Sequence, residues 1–211
     1  MRVAVAVCSA GRPAFVAALL PWLARQVQPP QAVILSVSGP GDLPGRLPRG
    51  APVPEVLTGP KGLPLQRNRA LAALAGRCDA VLFLDDDFWP CRDAVAGVAA
   101  GFAAFPGAAG LTGLVLEDGI GRGGLAPRVA AARIAAAEAR PPAPPRALRR
   151  RLATLYGCNM ALRLDRVGAQ RFDERLPLHG WQEDVDFAAR LPGEAVRSEE
   201  HTSELQSRSV I

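Results

Sequence analysis

The stretch that most constrains this chain is Val-Leu-Phe-Leu-Asp-Asp-Asp, residues 81–87. Four consecutive apolar residues are too few for a buried helix. Lying between Asp79 and an acidic cluster, they predict a central strand covered on both faces. Asp85, Asp86 and Asp87 then stand at its carboxyl end, where open α/β sheets bind ligands. Side chains alternate along an extended chain, so Asp85 and Asp87 are expected on one side and Asp86 on the other. Two carboxylates held side by side repel unless positive charge lies between them, and a hard divalent cation bridging to phosphate oxygens supplies it. A solvated acidic turn, with Phe88-Trp89-Pro90 as the exit from the strand, is the other reading of the same residues.

The 211 residues suit one α/β domain with a substantial core. A β-branched run over 2–8 predicts the first strand. Pro13 suits the first turn of a helix, and Phe15, Val16, Leu19, Leu20 and Leu23 recur at helical spacing as far as about Gln26. Further strands are expected over 32–38 and 53–57, with a helix over 65–75 that carries Arg67, Asn68 and Arg69 in its first turns. Cations there oppose the helix dipole, and a bound diphosphate would reverse that; surface arginines are the plainer reading, above all for Arg69. After the acidic strand come a helix over 92–105, a strand over 110–116 and a helix over 126–140. The glycine-rich 119–124 lacks the context of a phosphate-binding turn and reads as loop. A short strand is expected within 155–164, and a helix to about Leu191 whose start carries Glu183 and Asp184. Those two acids also read simply as favourable first-turn charges.

Composition narrows the partners. A formal charge of +5 suits an anionic substrate, while few aromatics and no dense basic helix argue against nucleic acid. One lysine stands against 24 arginines amid abundant Ala, Gly and Pro, so single Ala, Pro or Arg residues carry less structural meaning than usual. Arg146, Arg149, Arg150 and Arg151 form a basic patch, read as a solvated face, with a peripheral membrane surface or an anionic acceptor as the other reading. Cys8, Cys78, Cys91 and Cys158 lack metal-site spacing and read as reduced thiols of a cytoplasmic protein. Gly11-Arg12-Pro13 interrupts the N-terminal apolar run short of signal length, and no run is long enough to span a bilayer. The C-terminal Arg-Ser-Glu-Glu-His-Thr-Ser-Glu-Leu-Gln-Ser, from Arg197, resembles one reading frame of a sequencing-adapter oligonucleotide. The expectation is therefore a domain over 1–196, C-terminally truncated, and a disordered artefactual tail over 197–211.

Several segments recur in one order: the first strand with Cys-Ser-Ala-Gly-Arg-Pro, Gly-Leu-Pro-Leu-Gln-Arg-Asn-Arg-Ala-Leu, the Leu-Phe-Leu-Asp-Asp-Asp strand, Gly-Cys-Asn-Met-Ala-Leu and Gly-Trp-Gln-Glu-Asp-Val-Asp-Phe. Together they resemble a family 2 glycosyltransferase with the GT-A fold, a Rossmann-like, mostly parallel sheet flanked by helices. The resemblance spans residues 2 to about 196. It implies transfer of a sugar from a nucleoside-diphosphate sugar to a hydroxyl acceptor (glycan, lipid-linked or small molecule), with a divalent cation, Mg or Mn, and with inversion. By position it implies Asp184 as catalytic base and Asp85 as nucleotide contact. Asp85 and Asp87 would be metal ligands, Arg67 would lie near the donor, and Ser9 and Arg12 would edge the nucleotide pocket.

Two departures are visible. Ser36-Val37-Ser38-Gly39 stands where members often carry an acid after the second strand. A metal-binding histidine is common after the point where this chain becomes adapter-like; His179 precedes the Glu-Asp pair, and His201 falls in the adapter-like stretch and is not taken as that ligand. Two rival activities remain at this level. A sugar-nucleotide nucleotidyltransferase would carry a glycine-rich signature after the first strand, of which Gly11-Arg12-Pro13 is a poor version. A non-catalytic nucleotide-sugar-binding protein is the other.

Overall fold

The run at 81–87 does lie at the middle of a sheet. In the computed structural model the chain is described over residues 1–117, 119, 123–140, 147–149, 154–176 and 182–204, with only the backbone for 147–149 and 198–204. β1 (Val3–Ser9), β2 (Val33–Val37), β3 (Glu55–Thr58) and β4 (Ala80–Asp85) pair in parallel in the order β3-β2-β1-β4. Beyond β4 the sheet turns mixed. β8 (Asn159–Arg163) runs antiparallel to β4, then come β6 (Ala108–Val115), β9 (Glu194–Glu204) and the two-residue β5 (Trp89–Pro90), with β7 (Ala147–Arg149) also paired to β9.

Alternation builds two cores from one sheet. Val3, Val5 and Val7 of β1 and Ala80, Leu82 and Leu84 of β4 face one cluster. Ala4 and Ala6, with Val81 and Phe83, face the other. Helix α1 (Pro13–Ala24) closes the first face with Val16, Leu19, Leu20 and Leu23, the i, i+3, i+4, i+7 stripe of an amphipathic helix. It is joined there by α3 (Ala94–Ala104) through Val95, Val98 and Phe102. Helix α2 (Leu63–Leu74) covers the second face with Ala70, Leu71 and Leu74, and the short α6 (Glu183–Ala189) adds Phe187 and Ala188. Helix α4 (Pro127–Glu138) packs Ala130 and Ile134 on a satellite cluster with Trp89, and α5 (Leu164–Val167) is a single turn after β8. All four cysteines are thiols; Cys8 is half-buried and the others buried.

Three expectations change. Helix α2 starts at Leu63, directly after Gly62 at φ 147°, a backbone geometry that favours glycine, and Pro64 suits the first turn. The alternation expected through Asp87 stops at Asp85, where β4 ends in a turn closed by the Phe88 N–H donating to Asp85 O at 3.1 Å. The stretch from Arg197, expected to be disordered, is paired as far as Glu204 as part of β9, parallel to β6 with a register shift between Gly113 and Leu114. A ladder needs only backbone N–H and C=O groups, so unlike composition does not prevent it. The proline-rich 141–145, Arg146, Arg150, Arg151, His179 and Trp181 lie outside the described residues, as do the side chains of Arg149 and His201. Among the described residues no helix is long and apolar enough to cross a membrane.

Candidate functional site

Register decides which residues meet. β1 and β4 run in the same sense with Cys8 opposite Asp85, so Ser9 and the turn after it stand beside the residues following β4. β8 runs the other way with Asn159 opposite Leu84, so its entry turn, Gly157-Cys158, arrives at the same edge. The Asp85 N–H donates to Cys158 O at 3.4 Å.

One half of the site is an acid cluster gathered on an arginine. Arg12 Nη1 lies 2.7 Å from Asp86 Oδ1 and Nη2 2.7 Å from Asp87 Oδ2, while its guanidinium rests on the Phe15 ring at 4.0 Å. Ser9 Oγ donates to Asp86 Oδ2 at 2.6 Å. Asp86 and Asp87 are both buried, and Asp86 Oδ1, although close to Arg12, receives no directed hydrogen bond. Burial pushes the Asp86 carboxyl up to about 7 against the opposing pull of Ser9 and Arg12. Asp85 is one-third exposed, and its carboxyl is also pushed up by desolvation, with Arg67 opposing and Asp87 and Asp184 adding to the rise.

The other half is organised by Arg67, whose side chain is 2% exposed. Nη1 is ion-paired with Glu183, Nη2 donates to Gly157 O at 2.9 Å, and Nη2 lies 3.7 Å from Asp85 Oδ1. Phe83 and Phe172 flank the guanidinium at 5.6 and 5.4 Å. Asp184 sits next to this group: its Oδ2 accepts from the Gly157 N–H and its Oδ1 from the Val185 N–H, both at 2.9 Å. Burial raises the Glu183 carboxyl, with Arg67 opposing. Asp184 also borders an open hollow of about 340 Å³ lined by Thr112, Thr154, Leu155, Tyr156, Val185 and Arg197.

Asp85, Asp87, Asp184, Ser9, Arg12 and Arg67 therefore share one end of the sheet, with Asp85 electrostatically linked to both Asp87 and Asp184. Their roles differ from the simplest expectation. The Ser9 hydroxyl and the Arg67 guanidinium are engaged by protein groups. Arg69 is structural, donating to the carbonyls of Val37, Leu57 and Pro60. Sequence reasoning quoted Gly157 and Gln66 within the resembling segments without giving either a part, gave Glu183 only a favourable helix-start charge, and passed over Asp42. Gln66 Nε2 ties the ends of β1 and β2 by donating to Ser9 O and Ser36 O at 2.8 and 2.7 Å. Asp42 stands in the loop after β2, where an acid was missed at 36–39, but turns its oxygens to the backbone: Gly11 N–H at 2.6 Å, Ser38 N–H at 2.7 Å and Gly39 N–H at 3.1 Å. Gly11 has a φ of +73°, the left-handed geometry that favours glycine.

A divalent cation fits this edge in part. Among the described residues no three His, Cys, Asp or Glu side chains are grouped to hold a metal. Asp85 and Asp87 supply two hard oxygen donors, the number a magnesium-like ion takes when substrate phosphates complete its shell. Asp86 Oδ1 is ion-paired with Arg12 without a directed hydrogen bond, and burial, with neighbouring carboxylates adding, raises the Asp85 and Asp86 carboxyls; a cation at this edge would offset that cost.

No protein-family model matches the sequence, and a search of curated proteins returns no match. Solved structures do match. The S. aureus TarS 1–349 structure superposes with a TM-score of 0.66 at 16% identity, over 96% of this chain and 59% of that one. A mannosyltransferase from Pyrobaculum calidifontis, in complex with GDP-Man and Mn2+, gives 0.58 at 16% identity over 96% and 56%. Glucosyl-3-phosphoglycerate synthase from Mycobacterium tuberculosis, in complex with Mn2+, UDP and glucosyl-3-phosphoglycerate, gives 0.54 at 15% identity over 98% and 72%. The fold is GT-A. Its parallel half, β3-β2-β1-β4, delivers Ser38, Ser9 and Asp85 to one edge, and the antiparallel β8 of the GT-A sheet brings Gly157 and hence Asp184 to them. The chain spans about six-tenths of the length of the TarS 1–349 chain it matches.

Proposed function

We propose that this protein transfers a sugar from a nucleoside-diphosphate sugar to a hydroxyl acceptor, with inversion, in a metal-dependent reaction. The observation that carries this reading is the meeting of Asp184 with the acidic end of β4 from a separate segment, through Gly157 and Arg67. Inversion needs the base on the face of the sugar opposite the leaving diphosphate, so base and leaving-group site should come from different parts of the chain. The fold shared with a mannosyltransferase bound to GDP-Man and Mn2+ and with a synthase bound to UDP and Mn2+ supports the same donor class.

In this reading Asp184 accepts the acceptor hydroxyl proton, the freed oxygen bonds to the anomeric carbon, and the bond from that carbon to the diphosphate breaks with its electron pair leaving on the nucleotide. A positioned general base contributes roughly 10²- to 10⁴-fold. The Gly157 and Val185 N–H groups orient the carboxylate, and the hollow beside it, with Leu155, Tyr156 and Thr112 in its wall, receives the acceptor. Asp85 and Asp87 would hold Mg or Mn, which when bound supplies positive charge to the departing diphosphate.

Thermal shift with UDP and with GDP, each with and without Mn2+, tests this on wild type, Asp87→Ala and Asp184→Ala. Asp87→Ala should abolish the metal-dependent shift, and Asp184→Ala should keep it while stopping transfer. Transfer by Asp184→Ala at the wild-type rate, or nucleotide binding indifferent to metal, refutes the proposal.

A further inference from the structure

Arg67 is the cation that sequence reasoning would aim at a diphosphate, yet its surroundings leave it no approach. Its side chain is 2% exposed, it is paired with Glu183 and flanked by two phenyl rings, and its Nη2 donates to the Gly157 carbonyl. A phosphate could reach it only by displacing a buried carboxylate whose charge would then be left unpaired, which the interior resists strongly.

The peptide group of Gly157 shows what the arginine does instead. Its carbonyl accepts from Arg67 and its N–H donates to Asp184 Oδ2, both at 2.9 Å. A Cβ at residue 157 would stand 3.0 Å from Asp184 Oδ2 and 3.2 Å from Arg67 Nη2, so the absence of a side chain is what lets both groups close on this turn. Arg67 also grips Glu183, the residue preceding Asp184. Asp184 is thus fixed twice by one guanidinium, through the turn before β8 and through the first residue of α6.

We infer that Arg67 is a positioning residue that sets the carboxylate of Asp184, and that it is not a ligand of the donor diphosphate; this rests on the reading of Asp184 as the base. It follows that removing Arg67 harms turnover while sparing nucleotide affinity. A donor ligand would show the reverse.

The test uses Arg67→Met and, because that variant strands the Glu183 charge, the double variant Arg67→Met/Glu183→Leu, which removes both charges together. Three readouts apply: calorimetric binding of UDP and GDP with Mn2+, hydrolysis of UDP-GlcNAc and GDP-mannose with water as acceptor, and hydrogen exchange at the Gly157 amide. The double variant should bind nucleotide within about 3-fold of wild type and lose roughly 10- to 100-fold in hydrolytic kcat at unchanged donor KM, the scale of a base displaced by about 1 Å. The Gly157 amide should exchange faster. A tenfold or greater loss of nucleotide affinity would make Arg67 a donor ligand and overturn the inference. Unchanged kcat or unchanged Gly157 exchange would overturn it as well. Asp184→Ala separates the two failures. If that variant hydrolyses donor like wild type, the base assignment falls and this inference with it; if it is inactive while the double variant is not, the inference alone falls.

Discussion

Replacing Asp86 by Asn should make the metal-free protein more stable at pH 8.5 and change little near pH 4. Asp86 is buried, its Oδ1 lacks a directed hydrogen bond, and burial raises its carboxyl from an ordinary 3.8 to about 7. The folded state therefore keeps a proton that the unfolded state gives up near pH 4. The group's stabilising contribution is complete below that pH and is lost as pH rises to about 7. At about 1.4 kcal/mol for each pH unit between the two values, the ionised group destabilises the fold by on the order of 4 kcal/mol above pH 7. Asn cannot ionise, and its carbonyl oxygen still accepts from Ser9 Oγ. The rise to about 7 already includes the opposing pull of Arg12, so losing that ion pair takes nothing further from the gain. The net gain at pH 8.5 is then about 4 kcal/mol. In urea, with a slope near 2 kcal/mol per molar, this raises the midpoint by roughly 2 M. Other raised carboxyls (Asp85, Glu183, Asp93) give both proteins a pH slope, so the quantity to compare is the difference between variant and wild type, measured in EDTA. A difference that is the same at pH 4.5 and pH 8.5 would refute the reasoning.

Two further substitutions probe the frame around the site. Gly157→Ala should cost about 1–3 kcal/mol from crowding Asp184 and Arg67, and should lower hydrolytic kcat more than nucleotide affinity; urea melts with calorimetry check both. Asp42→Ala removes the acceptor of three N–H groups. Burial works against that carboxylate, but those bonds hold it below its ordinary range, so its contribution is present at neutral pH and lost as pH falls through the acid range. The variant should lose about 2 kcal/mol at pH 7 and less near pH 3.

Much of the parallel half was legible because its signal is local. Val81–Leu84 announces a doubly covered strand in four residues, and the Val16, Leu19, Leu20, Leu23 stripe announces α1. The α/β class followed from that order of strands and helices, and the GT-A fold from the resemblance of the ordered segments. What stayed hidden depends on contacts far apart in sequence. Nothing near Arg67 says that its partner is Glu183, 116 residues on, because that contact needs α6 to pack on Phe172, whose ring stacks on Phe187 at 4.0 Å. Gly157 is silent in sequence as well, since its part depends on β8 running antiparallel to β4. The side assignment of Asp86 failed for a local reason: the strand rule was carried two residues beyond the strand, which ends at Asp85.

The charge arrangement explains why the acids can stand together at all. Asp85, Asp86, Asp87 and Glu183 are served by two guanidiniums, each spanning a pair: Arg12 joins Asp86 to Asp87, and Arg67 joins Asp85 to Glu183. Asp184 adds a fifth carboxylate held only by peptide N–H groups in these contacts. In the contacts given by the described residues, these five carboxylates share two guanidiniums, and solvent meets the excess poorly because Asp86, Asp87 and Glu183 are buried. A proton and a divalent cation are the two means of offsetting it, and they compete for the same oxygens. Burial first, and the neighbouring carboxylates after it, raise the Asp85 and Asp86 carboxyls, so the protein without ligand meets part of this excess with protons. A diphosphate alone would deepen the excess, so in the proposed reaction cation and nucleotide must arrive as partners, and Arg67, withdrawn from the nucleotide, remains available to hold the base.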